Sequence, residues 1–111
     1  MHVGNLDGVG VSVNRKNWSA SVTIYVHDST EALVTGVSVT GSWGSGVSGS
    51  TSCTTDGSGS CTLTTSNINT KISSAVFSVQ DLATSGYVYE PGSNHDWNLD
   101  SDGTSLTIPS P

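Results

Sequence analysis

The clearest pattern along this chain is an alternation of apolar and polar residues over positions 18–26. The intervening positions carry Ser, Thr or Tyr, and the apolar ones are Trp18, Ala20, Val22, Ile24 and Val26. A period of two places all five apolar side chains on one face of an extended strand, because successive side chains of a strand point to opposite faces. The pattern therefore predicts a strand with one buried face.

Shorter alternations of the same kind recur along the rest of the sequence. They lie at residues 37–43, 50–55, 60–65, 75–79, 87–89 and 104–108, and polar turns separate them every 8–12 residues. About seven short strands with this spacing are typical of an all-β fold in which two antiparallel sheets pack face to face. We predict an immunoglobulin-like sandwich, with an open barrel as the alternative.

Composition supports strands over helices and narrows the range of partners. The chain of 111 residues is 33% hydrophobic and carries nine acids against three bases, for a net charge of −6. Nucleic-acid binding requires clustered Lys and Arg, so we expect no nucleic-acid partner and no attraction to an acidic membrane. No apolar run approaches the ~20 residues that cross a bilayer, so we also expect no membrane insertion.

Two cysteines bracket a short turn. Cys53 and Cys61 are eight positions apart, and the residues between them are Thr, Asp, Gly and Ser. This spacing suits a disulfide that bridges the two strands of a hairpin. Disulfides persist in oxidising compartments, so the pair predicts an extracellular, secreted protein. A reduced buried pair is the alternative.

The turn between the cysteines also carries a resemblance. Segment 37–65, with Thr54-Thr-Asp-Gly-Ser-Gly59 leading into Cys61, resembles the immunoglobulin-like (Big-1-like) modules of bacterial surface proteins. The whole chain is similar to small modules near the C-termini of secreted bacterial hydrolases and to calcium-binding, tube-forming extracellular proteins, through segments 1–8, 85–87, 91–95 and 102–108. The resemblance implies a non-catalytic extracellular module that is calcium-dependent and self-assembling.

An acidic loop near the C-terminus is the candidate calcium site. Asn98, Asp100 and Asp102 alternate and are followed by Gly103, as in the first half of a calcium-binding loop. The distal Glu of an EF-hand is missing, so further oxygen ligands must come from elsewhere, and Asp7 is one candidate. The alternative is a solvated acidic turn, since Asp, Asn and Gly favour turns.

The sequence gives little support for catalysis. His2, His27 and His95 share no metal-ligand spacing, so we expect surface or capping roles for them. No Gly-x-Ser-x-Gly elbow accompanies the abundant serines. We therefore expect a protein that is not an enzyme.

Two features point to partners. Trp97 lies inside the acidic loop, where it either covers the ion or contacts another molecule. Residues 1–16 are either an N-terminal arm that pairs with a neighbouring subunit or an ordinary first strand, and residues 17–111 form the sandwich domain. In the arm, the partner-binding residues are Val3, Leu6, Val9 and Val11.

Together these features predict a secreted, non-catalytic structural protein that binds calcium and assembles with itself into an extracellular filament or tube. The alternative is a carbohydrate-binding or accessory module of a secreted hydrolase, whose exposed aromatic rings bind polysaccharide.

Overall fold

The computed structural model describes residues 1–44, 46–96 and 101–111, which form eight strands and one short 3-10 helix. The strands are β1 (His2–Ser12), β2 (Asn17–His27), β3 (Ser38–Trp43), β4 (Ser52–Thr54), β5 (Ser60–Thr64), β6 (Ile68–Asn69), β7 (Ser74–Ala83) and β8 (Ser105–Pro109). The helix spans Pro91–Ser93.

The strands form two antiparallel sheets. In the first sheet the order is β1-β2-β5, and β6 also pairs with β2; in the second the order is β4-β3-β7-β8. Along the chain, β1 and β2 belong to the first sheet, β3 and β4 to the second, β5 and β6 to the first, and β7 and β8 to the second. The chain therefore crosses from one sheet to the other after β2, β4 and β6. The prediction of an all-β, two-sheet antiparallel sandwich is confirmed.

The inward faces of both sheets form one core. Strand β2 alternates between buried and half-exposed residues along its whole length, as its sequence pattern predicts. From the second sheet, Val39, Phe77 and Leu106 are buried, and the Trp43 ring lies 5.1 Å from the Phe77 ring between centroids. The core therefore consists of aliphatic side chains from both sheets together with the buried rings of Trp18 and Phe77, and Trp43 packs against it.

The N-terminal segment is the first strand of this same domain. Strand β1 pairs along its length with β2, and a bulge between Val3 and Asn5 shifts the register. Because of this bulge, both Val3 and Leu6 point inward, and each is 0% exposed. These two side chains belong to the core and are not available to a partner, which corrects their expected role. Val9 and Val11 lie on the outer face, about half exposed.

A disulfide links Cys53 and Cys61, with their Cα atoms 5.9 Å apart. Cys53 lies in β4 of the second sheet and Cys61 in β5 of the first, so the bond ties the two sheets together along one edge. This bond confirms the predicted cysteine pairing and indicates a non-reducing environment. The predicted hairpin is wrong, because β4 and β5 belong to different sheets and do not pair with each other.

The connection from β7 to β8 differs from its prediction. Residues 87–89 are not a strand, and Tyr87 and Val88 are exposed. Instead, this connection crosses to the other sheet, where the Glu90 N–H donates to the Met1 carbonyl and the Met1 ammonium donates to the Val88 carbonyl. Among the described residues, no helix is long and apolar enough to span a membrane.

Candidate metal centre

Three histidines and one glutamate meet where β1 begins and β2 ends. His2 Nε2 lies 2.7 Å from one Glu31 oxygen, and His95 Nε2 and His27 Nδ1 lie 2.8 and 3.6 Å from the other. All four ligand atoms fall within 4.8 Å of one another. We call His2, His27, Glu31 and His95 the histidine–glutamate centre.

Strand register brings the first two histidines together. His2 of β1 is paired with His27 of β2, on the outer face of the first sheet. Gly4, at the bulge, lies under the His27 ring, and a Cβ built on Gly4 would come within 2.0 Å of His27 Nδ1. Gly4 therefore leaves the space that the imidazole of His27 occupies.

Glu31 is placed by a tight turn that follows β2. The Asp28 carboxylate accepts hydrogen bonds from the backbone N–H groups of Thr30 and Ala32 and from the Thr30 hydroxyl. These bonds lower the pKa of Asp28, with the Thr30 hydroxyl contributing most. At the end of this turn Glu31 has φ of 64°, the one left-handed non-glycine residue in the described part of the chain. A non-glycine residue in this region stores backbone strain, which is common at functional sites.

His95 arrives from the connection between β7 and β8. Its backbone N–H donates to the Val3 carbonyl, and the neighbouring Asn94 side chain accepts from the Val3 N–H. Gly103, at φ of 84°, packs against the His95 backbone, where a Cβ would come within 2.4 Å of its nitrogen. The sandwich therefore fixes the backbone of His95 although its side chain is half exposed.

A backbone carbonyl fixes the orientation of the His95 ring. His95 Nδ1 lies 3.1 Å from the Ser93 carbonyl oxygen. A carbonyl only accepts hydrogen bonds, so Nδ1 carries the proton and the neutral ring has its lone pair on Nε2. That lone pair faces a Glu31 oxygen, which is also an acceptor. The contact is therefore favourable only when a proton or a metal cation lies between the two atoms.

The buried side of the centre has the same requirement. The His2 side chain is 6% exposed, and its Nε2 has no hydrogen-bond partner although a Glu31 oxygen is within reach, so the direction of this contact is poor. His27 Nδ1 is also buried without a hydrogen-bond partner. A buried polar atom without a partner is costly, and a metal ion in the middle of the centre would satisfy both nitrogens.

The electrostatics of Glu31 keep it ionised. Desolvation raises the pKa of its carboxyl group, but the electrostatic influence of His2 and His95 together with the contacts from His2 and His27 outweighs this effect, so the pKa lies below its ordinary value. The centre thus offers a carboxylate and three imidazole nitrogens, which is a ligand set for a divalent transition metal.

The residues predicted to bind calcium lie elsewhere or outside the described residues. Asp7 lies in the middle of β1, opposite Thr23, and its carboxylate accepts a hydrogen bond from the Asn5 side chain. Asp102 accepts from the backbone N–H groups of Thr104 and Ser105, which lowers its pKa, with the Ser105 bond contributing most. The other predicted calcium ligands, Asn98 and Asp100, are outside the described residues, as is Trp97.

The calcium site therefore stays a prediction. Within residues 1–44, 46–96 and 101–111, the one group of three or more histidines, cysteines or acids that could hold a metal ion is the histidine–glutamate centre. Neither Asp7 nor Asp102 is a member of it.

The expectation that the histidines have surface or capping roles is wrong for His2, whereas His95 is exposed. His2 is buried, and all three rings converge although 25 and 68 residues separate them along the chain. Spacing rules for metal ligands describe sites built within one helix or loop, so they miss ligands assembled by strand pairing. A usable signal was present: if residues 1–16 form an ordinary first strand that pairs with the strand at 18–26, His2 and His27 lie at the same end of that pair.

Comparisons with known proteins do not assign the chain to a family. No family model matches the chain, and neither the curated proteins nor the solved structures gave a match.

Proposed function

We propose that this protein binds one divalent transition-metal ion, zinc, through His2 Nε2, His27 Nδ1, His95 Nε2 and the Glu31 carboxylate, as the structural centre of an exported, non-catalytic module. The observation that carries the proposal is the convergence of three imidazole nitrogens on one carboxylate, with the buried His2 nitrogen lacking a hydrogen-bond partner.

The ligand atoms favour zinc over calcium. Imidazole nitrogens suit zinc and its neighbours in the first transition row, whereas calcium takes six to eight oxygen ligands. In a tetrahedral zinc site with bonds of about 2.0–2.1 Å, ligand atoms are about 3.3 Å apart. The separations of 2.7, 2.8 and 3.6 Å in the centre bracket this value. These separations join histidine nitrogens to Glu31 oxygens, and all four ligand atoms lie within 4.8 Å of one another.

A metal ion at this position would act as a cross-link. His2 and His27 belong to the first sheet, whereas His95 belongs to the connection between two strands of the second sheet. The ion would join the sheets at the edge opposite the disulfide between β4 and β5. Small domains bury a limited core and often depend on such cross-links. Four protein ligands also leave no position for a substrate, as in structural zinc sites.

The disulfide supports an extracellular location. In that location the protein would keep its zinc ion only if it binds the ion tightly. Coordination by four side chains that the fold already holds close together reduces the ordering cost of binding. In this proposal, calcium binding by the acidic loop is a separate property, because the two sites share no residue.

Calorimetric titration tests the proposal. Protein stripped with a chelator is titrated with zinc and, separately, with calcium, and the variants His2→Ala, His95→Ala and Asp102→Asn are titrated in parallel. We expect one zinc per chain in the wild type and in Asp102→Asn, and at least a tenfold loss of affinity in each histidine variant. Equal zinc affinity in the wild type and both histidine variants would contradict the proposal, as would failure of the wild type to bind zinc.

A further inference from the structure

All of the Lys and Arg residues of this protein lie at one end of the molecule. The sequence has three Lys and Arg, and Arg15 and Lys16 occupy the turn between β1 and β2. Lys71 lies in the turn after β6, and the N–H of the adjacent Thr70 donates to the Lys16 carbonyl, so the two turns are neighbours. All three side chains are exposed, and in the described residues none forms an ion pair. We call these three residues the basic tip.

Four acids occupy the opposite end, and three of them are exposed while Asp28 is partly buried. Strand β2 runs from the basic tip to the turn that carries Asp28 and Glu31, a distance of about 33 Å at 3.3 Å per residue. Asp56 joins them, because carbonyl groups of the loop around it accept hydrogen bonds from the backbone N–H groups of Gly36 and Val26. Glu90 joins them through its backbone bond to Met1. We call Asp28, Glu31, Asp56 and Glu90 the acidic tip.

Each tip also presents apolar side chains. At the acidic tip Leu33 is 54% exposed and Val88 is 77% exposed, and at the basic tip Val13 is 48% exposed. Leu33 contacts Gly59 beside Asp56, and the Val88 carbonyl accepts from the Met1 ammonium beside Glu90. Apolar residues ringed by charges are typical of protein–protein contacts, in which the apolar centre excludes water and the charged rim sets the orientation.

From this distribution we propose that the protein associates head to tail with a second copy of itself, with the basic tip of one molecule docked on the acidic tip of the next. The molecule is 46 Å long and about 22 Å across. At physiological ionic strength charges are screened over about 8 Å. The attraction between the two tips in contact therefore outweighs the repulsion between the acidic tips of the two molecules, which lie far apart. Charge complementarity between the two ends is the argument for a second copy as the partner.

This contact differs from the one expected from the sequence. It uses the two tips and not the edge of β1, where Val3 and Leu6 are core residues. It also goes beyond metal binding. The two share Glu31, which belongs to both the acidic tip and the histidine–glutamate centre, and a bound divalent cation would reduce the negative charge of that tip, so the contact is tested without metal. A head-to-tail contact does not close on itself unless the rotation permits, so it propagates into linear chains.

Analytical ultracentrifugation of the full chain tests the proposal. The protein is sedimented in chelator at low ionic strength, from micromolar concentrations up to about 2 mM, because exposed charge pairs contribute little each and the association is expected to be weak. The test variant is Lys16→Gln/Lys71→Gln, which removes two charges from the basic tip. The matched control, Ser52→Asp/Thr107→Asp, lowers the net charge by the same two units on exposed strand positions between the tips.

We expect the wild type and the control to form oligomers that grow with concentration and dissociate in 0.5 M NaCl. We expect the association of Lys16→Gln/Lys71→Gln to be at least about fivefold weaker. A wild type that stays monomeric at 2 mM would overturn the proposal, as would equal association of the two variants. Because the experiment contains no metal, neither outcome depends on whether the centre binds zinc.

Discussion

At the scale of single residues, the centre depends on where the chain leaves room for the imidazole rings. Gly4 lies under the His27 ring, and Gly103 lies against the His95 backbone in a left-handed conformation that glycine adopts without strain. Neither glycine carries a ligand atom. Residues that hold ligands in place affect metal affinity almost as strongly as the ligands themselves.

Replacement of Gly4 by Ala should therefore weaken zinc binding. The added Cβ would come within 2.0 Å of His27 Nδ1, so the ring must leave its position. We expect a loss of zinc affinity of about 10-fold to 100-fold by calorimetry, the range for residues that orient ligands. Gly8→Ala is the control, because its Cβ would meet Ile108 and Leu106 in the core instead. It should lower stability and leave zinc affinity unchanged; the reverse pattern would contradict the role assigned to Gly4.

The pH dependence of stability tests the hydrogen bonds that the Asp102 carboxylate accepts. Its folded-state pKa lies below the ordinary value of 3.8, because backbone N–H groups stabilise the carboxylate. Its contribution to stability is therefore complete above the unfolded-state pKa and is lost as the pH falls through the folded-state pKa. We expect Asp102→Asn to be less stable than the wild type by no more than about 1 kcal/mol near pH 6, since the group is exposed. In urea unfolding the difference should shrink as the pH falls below the ordinary value of 3.8, and a constant difference down to the lowest pH would refute the assignment.

At the scale of elements, the sequence pattern predicts the features that depend only on residues close together in the chain. The alternation in residues 18–26 and 75–79 gives the buried faces of β2 and β7, because the face of a side chain follows from its position in the strand. The centre could not be predicted in this way. Its ligands meet through the pairing of His2 with His27 and through the crossing of residues 87–95 to the other sheet, and both depend on contacts between distant segments.

The disulfide between β4 and β5 should make a measurable contribution to stability. It closes a loop of about nine residues, for which loop entropy predicts about 2.5 kcal/mol. We expect Cys53→Ala/Cys61→Ala to fold with a free energy of unfolding lower by about this amount in urea denaturation. The reduced wild type should match the double variant, and an unchanged midpoint after reduction would show that the bond does not constrain the unfolded chain.

At the scale of the whole molecule, the disulfide and the proposed zinc site would act as two separate cross-links of the sandwich. The disulfide joins β4 to β5, and the histidine–glutamate centre joins the start of β1 to the connection before β8. Because they share no residue, their contributions should add. Saturating zinc at 100 times its Kd should raise the free energy of unfolding by about 2.7 kcal/mol in both the wild type and Cys53→Ala/Cys61→Ala. A zinc effect that vanishes with the disulfide would show that the two sites are coupled.

The most direct test of the zinc site is a crystal structure of the zinc-loaded protein with anomalous diffraction recorded on both sides of the zinc absorption edge. The proposal predicts one strong peak within about 2.0–2.2 Å of His2 Nε2, His27 Nδ1, His95 Nε2 and a Glu31 oxygen. A zinc peak in the acidic loop beside Asp102, with none between the three histidines, would contradict it.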